Sequence, residues 1–291
     1  MQLAHITATD FDLARTLDSG QVFHWEMCGA GFGGAVGEKA VYVEQRGKTL
    51  SFRGVNAKTL VKYFSLDHPL AEICRALPSD PAMAAAREFC RGLRIIRQPR
   101  WECLATFITS SMKQVAHIRQ ISLALRKRFG KRNQIFDQDL YTYPSPQRIA
   151  ELSEPELRAC ALGYRAKNLL GTARLVASGE ANLKEWSNLP DDALRSRLCE
   201  LPGVGPKVAN CVMLFAYERL RAFPIDVWIE RVLRQHYFPR RKKITARQLR
   251  EFCDDYFGAH GGYAQQYLFH HARKGGASPE AVKSASQRPG C

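Results

Sequence analysis

Hydrophobic residues in the first hundred positions fall in short clusters rather than in helical stripes. Residues 21–28, 39–46 and 49–53 are rich in Val, Phe, Tyr and Trp, separated by the glycine-dense stretch 29–37 and by Arg46-Gly47-Lys48. Short β-prone runs between turn residues predict a small antiparallel sheet with hairpin connections. After Ala57 the period changes. Leu60, Tyr63 and Phe64 share one helical face, and residues 83–93 predict another helix. From Trp101 onward almost everything is helix-like: Leu104, Phe107, Ile108, Val115, Ile118 and Leu125 recur at helical spacing, and Gly130 stands where a helix stop is expected. Further helices are expected at 145–162, 166–178, 191–200, 206–217, 226–237, 245–257 and 263–273. The fold class is therefore α+β. A sheet-bearing region over 1–100 precedes a helical body over 101–273, and 274–291, rich in Ser, Ala and Gly, reads as a frayed tail.

Composition narrows the class. The 291 residues are 45% hydrophobic and 24% charged, which is ordinary globular usage and argues against global disorder. No apolar run is long enough to span a bilayer, and the first ten residues carry neither a basic nor an apolar signal region, so a membrane or secreted location is not expected. The nine cysteines contain no C-x-x-C pair, which suggests reduced thiols rather than a disulfide framework or zinc knuckle. The 43 Lys and Arg exceed the 28 Asp and Glu, a net charge of +15. Such an excess suits a polyanionic partner, although a soluble protein that merely happens to be basic carries it too.

The chemistry concentrates in Leu201-Pro202-Gly203-Val204-Gly205-Pro206-Lys207. Gly203 and Gly205, between two helical patterns, form a tight hairpin at 201–205 that brings backbone close to a ligand. Pro206 suits the first turn of the following helix, whose free amides make a phosphate site. Alone, this hairpin supports nucleic-acid contact and no reaction, and a Leu-Pro-Gly turn can be only a turn. Lys207 sits where the positive end of the helix dipole disfavours an ammonium ion, and an amine of lowered pKa can form a Schiff base. A solvated or phosphate-binding lysine is the plainer alternative. Asp226, in Phe223-Pro224-Ile225-Asp226-Val227, reads as a helix N-cap. A carboxylate pinned there also suits the stabilisation of a cationic sugar.

The hairpin followed by Pro-Ile-Asp resembles the helix–hairpin–helix DNA glycosylases, and within them the 8-oxoguanine DNA glycosylase/lyases. The likeness includes Ser19-Gly20-Gln21-x-Phe23-x-Trp25, Tyr63-Phe64-Ser65-Leu66-Asp67, Glu102-Cys103-Leu104, Gly163-Tyr164-Arg165-Ala166-Lys167 and Ala264-Gln265-x-x-Leu268-Phe269. The resemblance implies that Lys207 attacks C1′ of an extruded nucleotide and that Asp226 stabilises the sugar cation. It implies that the Gly20 carbonyl accepts the N7–H of 8-oxoguanine, that Gln265 reads the base edge, and that Phe269 and Cys211 sandwich the base. Without it, Cys211 is a small buried helix contact. Tyr164 would wedge into the opposite strand, with Arg165 beside it. The carbonyls of Cys199, Leu201 and Val204 are the family positions for a structural Na⁺ or K⁺. No catalytic metal or cofactor is implied, and an iron–sulfur cluster is excluded because only Cys253 and Cys291 follow Cys211. His260, His270 and His271 lack matching metal ligands and read as surface or DNA-facing.

The chain also departs from the family. Met112-Lys113-Gln114 replaces an asparagine-rich run, His117 stands at an arginine position, and Trp228 replaces a phosphate-contacting histidine of some relatives. These changes predict weakened selection for cytosine opposite the lesion. The expected partner is duplex DNA containing an oxidised purine, bound by a monomer, in the cytoplasm at the nucleoid of a prokaryote or in a eukaryotic nucleus. The cluster Arg240-Arg241-Lys242-Lys243 fits a nuclear address, a DNA contact or a solvated loop. A glycosylase for another oxidised or alkylated purine, or a catalytically silent DNA-binding module, remain the alternatives.

Overall fold

The computed structural model describes residues 3–241 and 243–275, so most of the segment read as a tail lies outside the described residues. Strand β1 (Ala4–Thr7) and helix α1 (Leu13–Asp18) precede β2 (Glu26–Cys28), β3 (Gly31–Val36), β4 (Lys39–Arg46) and β5 (Thr49–Arg53). The five strands make one antiparallel sheet in the order β1-β5-β4-β3-β2. β4 and β5 fall where the sequence predicts them, with Val43 opposite Phe52.

The glycine-dense stretch is not a mere connection; it is β3, paired on both sides. A Cβ on Gly34 would lie 2.5 Å from the Trp25 ring, and one on Gly31 2.5 Å from the Val43 carbonyl oxygen. Glycine there lets an indole and a neighbouring backbone approach the sheet closely. β2 is also shorter than the predicted 21–28, because Gln21 to Trp25 form a buried loop rather than extended strand.

Three helices follow, α2 (Ala57–Tyr63), α3 (Leu70–Ala76) and α4 (Pro81–Phe89). The body then runs through α5 (Arg100–Ser110) and α6 (Val115–Phe129), a hairpin of β6 (Arg132–Ile135) and β7 (Gln138–Tyr141), and α7 (Pro146–Ala150), α8 (Glu154–Arg158) and α9 (Arg165–Ser178). It ends with α10 (Asp191–Cys199), α11 (Pro206–Tyr217), α12 (Val227–His236), α13 (Ala246–Tyr256) and α14 (Gly261–Lys274). Gly130 caps α6 as expected. The stretch 145–162 is two helices, since Ser153 opens α8 with a capping box to Glu156 and Pro155 sits in its first turn. The β6–β7 hairpin corrects the all-helical expectation after Trp101. Its Ile135 and Leu140 pack on Cys28 and Tyr42 of the main sheet.

Two larger apolar clusters hold the molecule. One joins the sheet to α1 and α2 through Trp25, Val41, Phe52, Leu60 and Phe64. The other fills the helical body and takes in α3 and α4, with Met83 and Leu93 beside Leu104, Val212 and Tyr267. A buried ion pair ties the sheet to the body: Arg126 donates to the Glu102 carboxylate and, at 3.2 Å, to the Tyr141 carbonyl, while His24 Nδ1 stands 3.5 Å from Glu102 Oε1. Burial pushes the Glu102 carboxyl up and holds the His24 imidazole well below its ordinary value. The eight described cysteines are free, and no helix among the described residues is long and apolar enough to cross a membrane.

Candidate active site

Gln21 builds the first wall. It is fully buried, and its side-chain amide donates to Ser19 Oγ at 2.8 Å and to the Arg94 carbonyl at 2.9 Å, while its Oε1 accepts from Ile96 N at 2.8 Å. From α14, Gln266 Nε2 donates to the Ser19 carbonyl at 2.8 Å. These bonds fix Gly20 at φ +85°, where a Cβ would stand 3.0 Å from Phe269 Cε1. Gly20→Ala is therefore expected to cost about 1 kcal/mol of stability through backbone strain. The rate of a reaction in this slot should fall much further, because the methyl group would intrude on the space beside Phe269. Single-turnover rates set beside a melting curve would separate the two losses.

The second wall is α11, which the hairpin opens. Gly203 takes φ +80°, and a Cβ there would lie 2.8 Å from Asn168. Thr172 Oγ1 anchors the turn by donating to the Pro202 carbonyl at 3.0 Å. Gly205 is exposed and opens α11 without a side-chain cap, and Pro206 occupies the first turn. The first amides of α11 thus lack a side-chain cap, as an anion site requires. Lys207 follows in the same turn, its Nζ 5.4 Å from the centre of the Phe107 ring.

Asp226 caps α12, its Oδ1 accepting from Trp228 N at 3.0 Å and Ile229 N at 2.9 Å. Burial raises its carboxyl above the ordinary value, against the lowering influence of those amides and of the Lys207 charge. Cys211, one turn after Lys207, is buried, and burial pushes its thiol up to about 11 against the pull of Lys207.

All six residues expected at the reacting base meet in one cavity of about 440 Å³: Gly20, Lys207, Cys211, Asp226, Gln265 and Phe269. Gln265 is 5% exposed, and its Oε1 has no hydrogen-bond partner. A buried acceptor left open is costly unless a ligand completes it. Phe23, Phe107, Gln114 and Arg273 also line the cavity and were not anticipated. Arg273 was within reach of sequence reasoning, since it stands one turn after Phe269 on α14. Its guanidinium lies 5.8 Å from the centre of that ring and donates to the Asp18 carbonyl.

The rim holds the remaining residues. Met112 is 91% exposed at φ +53°, with Sδ 3.9 Å from the hydroxyl of exposed Tyr164. His117 is exposed in the first turn of α6. Arg165 instead turns inward: it is buried under the Tyr164 ring and donates through Nε to the Ser111 carbonyl at 2.8 Å, holding the end of α5. One expectation fails outright, because His270 is buried against Phe89 rather than at the surface, and burial takes its imidazole down to about 4.

A lysine-bearing helix–hairpin–helix facing a cavity, beside a carboxylate that caps the next helix, defines a base-excision type of site. Residues 105–255 match the model of the HhH-GPD superfamily base excision DNA repair proteins, and residues 4–104 match the N-terminal domain of 8-oxoguanine DNA glycosylase. The chain belongs to the HhH-GPD superfamily and, within it, to the 8-oxoguanine DNA glycosylase family. It is similar to the N-glycosylase/DNA lyase OGG1 of Arabidopsis thaliana, with 30% identity over 91% of this chain and 78% of that protein. A probable N-glycosylase/DNA lyase of Methanothermobacter thermautotrophicus is 31% identical over 68% of this chain and 69% of its own length. Among solved structures, MBOgg1 in complex with a low-affinity DNA ligand superposes with a TM-score of 0.90 at 32% identity, covering 95% of this chain and 97% of that one. The Clostridium acetobutylicum 8-oxoguanine glycosylase/lyase, bound to duplex DNA with cytosine opposite 8-oxoG, gives 0.87 at 29%, covering 95% and 100%.

Proposed function

We propose that this protein is a bifunctional DNA glycosylase and AP lyase that excises 8-oxoguanine from duplex DNA. The observation that carries the reading is the convergence of Lys207, Asp226, Gly20 and the unpartnered Gln265 on one cavity. The glycosidic bond is inaccessible within the base stack, so the nucleotide must be extruded into this pocket. There Gln265 reads the base edge, the Gly20 carbonyl accepts the N7–H that guanine lacks, and Phe269 and Cys211 cover the two faces. The Lys207 amine bonds to C1′ as the C1′–N9 bond breaks and the base leaves with the bonding pair and a proton. The ionised Asp226 stabilises the sugar cation that develops between the two events. Opening of the sugar ring yields an imine. Loss of a C2′ proton then expels the 3′ phosphate and nicks the strand.

Borohydride reduces such an imine to a stable amine. A covalent protein–DNA adduct is expected on an 8-oxoguanine duplex and is expected to vanish in Lys207→Gln; no adduct from the unaltered protein would refute the lyase step.

The opposite strand meets an altered rim. Met112 offers an apolar plug where the family uses amides, His117 is exposed, and Arg165 is committed to Ser111. Nicking rates opposite C, A, G and T are expected within about tenfold of one another, a spread that one hydrogen bond covers. A strong preference for cytosine would overturn this.

At the hairpin, the carbonyls of Cys199, Leu201 and Val204 would hold Na⁺ or K⁺. α10 ends at Cys199, and neutral oxygens at the negative end of a helix suit a hard monovalent cation. The ion would set a positive charge against a DNA phosphate. The chemistry above uses no other metal or cofactor, and one chain carries the whole site, so the protein works as a monomer on DNA, in a nucleoid or a nucleus.

A further inference from the structure

We propose that the outer face of α12 is a second DNA-binding groove that grips the phosphate backbone of duplex flanking the lesion, through Arg231 and Arg241; the proposal rests on the glycosylase reading. A groove of about 700 Å³ runs along this helix, lined by Val227, Glu230, Arg231, Arg234, Phe238 and Arg241 among others. It starts beside the reacting centre. Val227, 74% exposed, directly follows the capping Asp226. Trp228 lines the reaction cavity, while its ring carries the Arg231 guanidinium at 5.3 Å, and Arg231 lines the groove.

Charge selects the occupant. Arg234 is matched by Glu230 at 2.8 Å. Among the described residues, neither Arg231 nor Arg241 forms an ion pair; each lies instead against an aromatic face, Arg241 at 5.8 Å from the Phe238 ring. A guanidinium held on a ring keeps its donor fork oriented and loses little freedom on meeting a phosphate. The apolar floor of Val227 and Phe238 suits deoxyribose between two such contacts. Val227 of the groove stands in sequence between Asp226 and Trp228 of the cavity, so a strand entering the cavity has a path onto the groove. Trp228 thereby replaces a charged phosphate contact by a platform that presents Arg231. The cluster Arg240-Arg241-Lys242-Lys243 gains a role at the far end of the groove through Arg241.

The test is the salt dependence of binding to a long 8-oxoguanine duplex, followed by fluorescence anisotropy. Arg231→Gln and Arg241→Gln are each expected to make the log Kd against log salt slope shallower by about 0.9, the release of counterions from one phosphate, and Arg231→Lys to restore it. Trimming the duplex on the contacted side should bring the unaltered protein and the Gln variants to the same slope. Unchanged slopes in both Gln variants would overturn the proposal, as would a difference that persists after either arm is trimmed, which would place the contact at the lesion itself. Borohydride trapping with the unaltered protein tests the glycosylase reading separately, since its failure leaves the slopes interpretable.

Discussion

Exchanging Asp226 for asparagine is expected to slow excision about a hundred- to thousandfold, the usual cost of removing one electrostatic partner of a transition state. The fold should survive, because asparagine caps a helix as well as aspartate does and its oxygen can accept from the amides of Trp228 and Ile229. The pH profile supplies an independent reading. Burial raises the Asp226 carboxyl, so the group takes up its proton at a higher pH than the ordinary aspartate value of about 4. In the proposed role only the ionised form stabilises the sugar cation. The rate should therefore decline as pH falls through this raised pKa, and the same limb should be missing in Asp226→Asn. A limb that persists in the variant would assign it to another group.

Glu102→Ala is expected to destabilise the protein by about 3–5 kcal/mol, because it strands the buried Arg126 without its counter-ion. For a chain of this size that is a fall in Tm on the order of 10 °C. Replacing both partners, as in Glu102→Leu with Arg126→Met, should recover most of the loss, since two apolar side chains carry no uncompensated charge. Thermal melts of the three proteins decide the matter. A single variant as stable as the parent would mean that Arg126 finds enough compensation in the Tyr141 carbonyl and the Tyr143 ring.

The contrast between these two carboxylates shows what the sequence makes legible. Asp226 was readable because its role is local: a proline two residues before, a helical pattern after, and a lysine in the first turn of the preceding helix α11. α11 was likewise placed to the residue by Gly205 and Pro206 at one end and its apolar run throughout. Glu102 stood in a recognised motif without a reason for being there, since its partners His24 and Arg126 reach it only through tertiary packing. β3 was misread for the same cause, because nothing local in Gly31 to Val36 announces the Trp25 ring lying on Gly34. The β6 sequence, Arg-Asn-Gln-Ile, has too little apolar alternation to declare a strand. In the site, the six cavity residues expected at the reacting base came from motifs. Phe107 and Arg273 needed the assembled helices, and the inward turn of Arg165 needed the end of α5.

The raised Cys211 thiol has a consequence for chemoselectivity. Two nucleophiles, nitrogen and sulfur, lie one helical turn apart in the same pocket, and in the proposed chemistry both would face an electron-poor sugar carbon. A thiolate would be the sharper competitor, yet its bond to C1′ would be a dead end, because sulfur cannot go on to an imine and the strand would stay whole. With the thiol at about 11, about one copy in ten thousand carries the anion at neutral pH. The burial that raises the Cys211 thiol keeps its sulfur silent, so the attack proposed above falls to nitrogen.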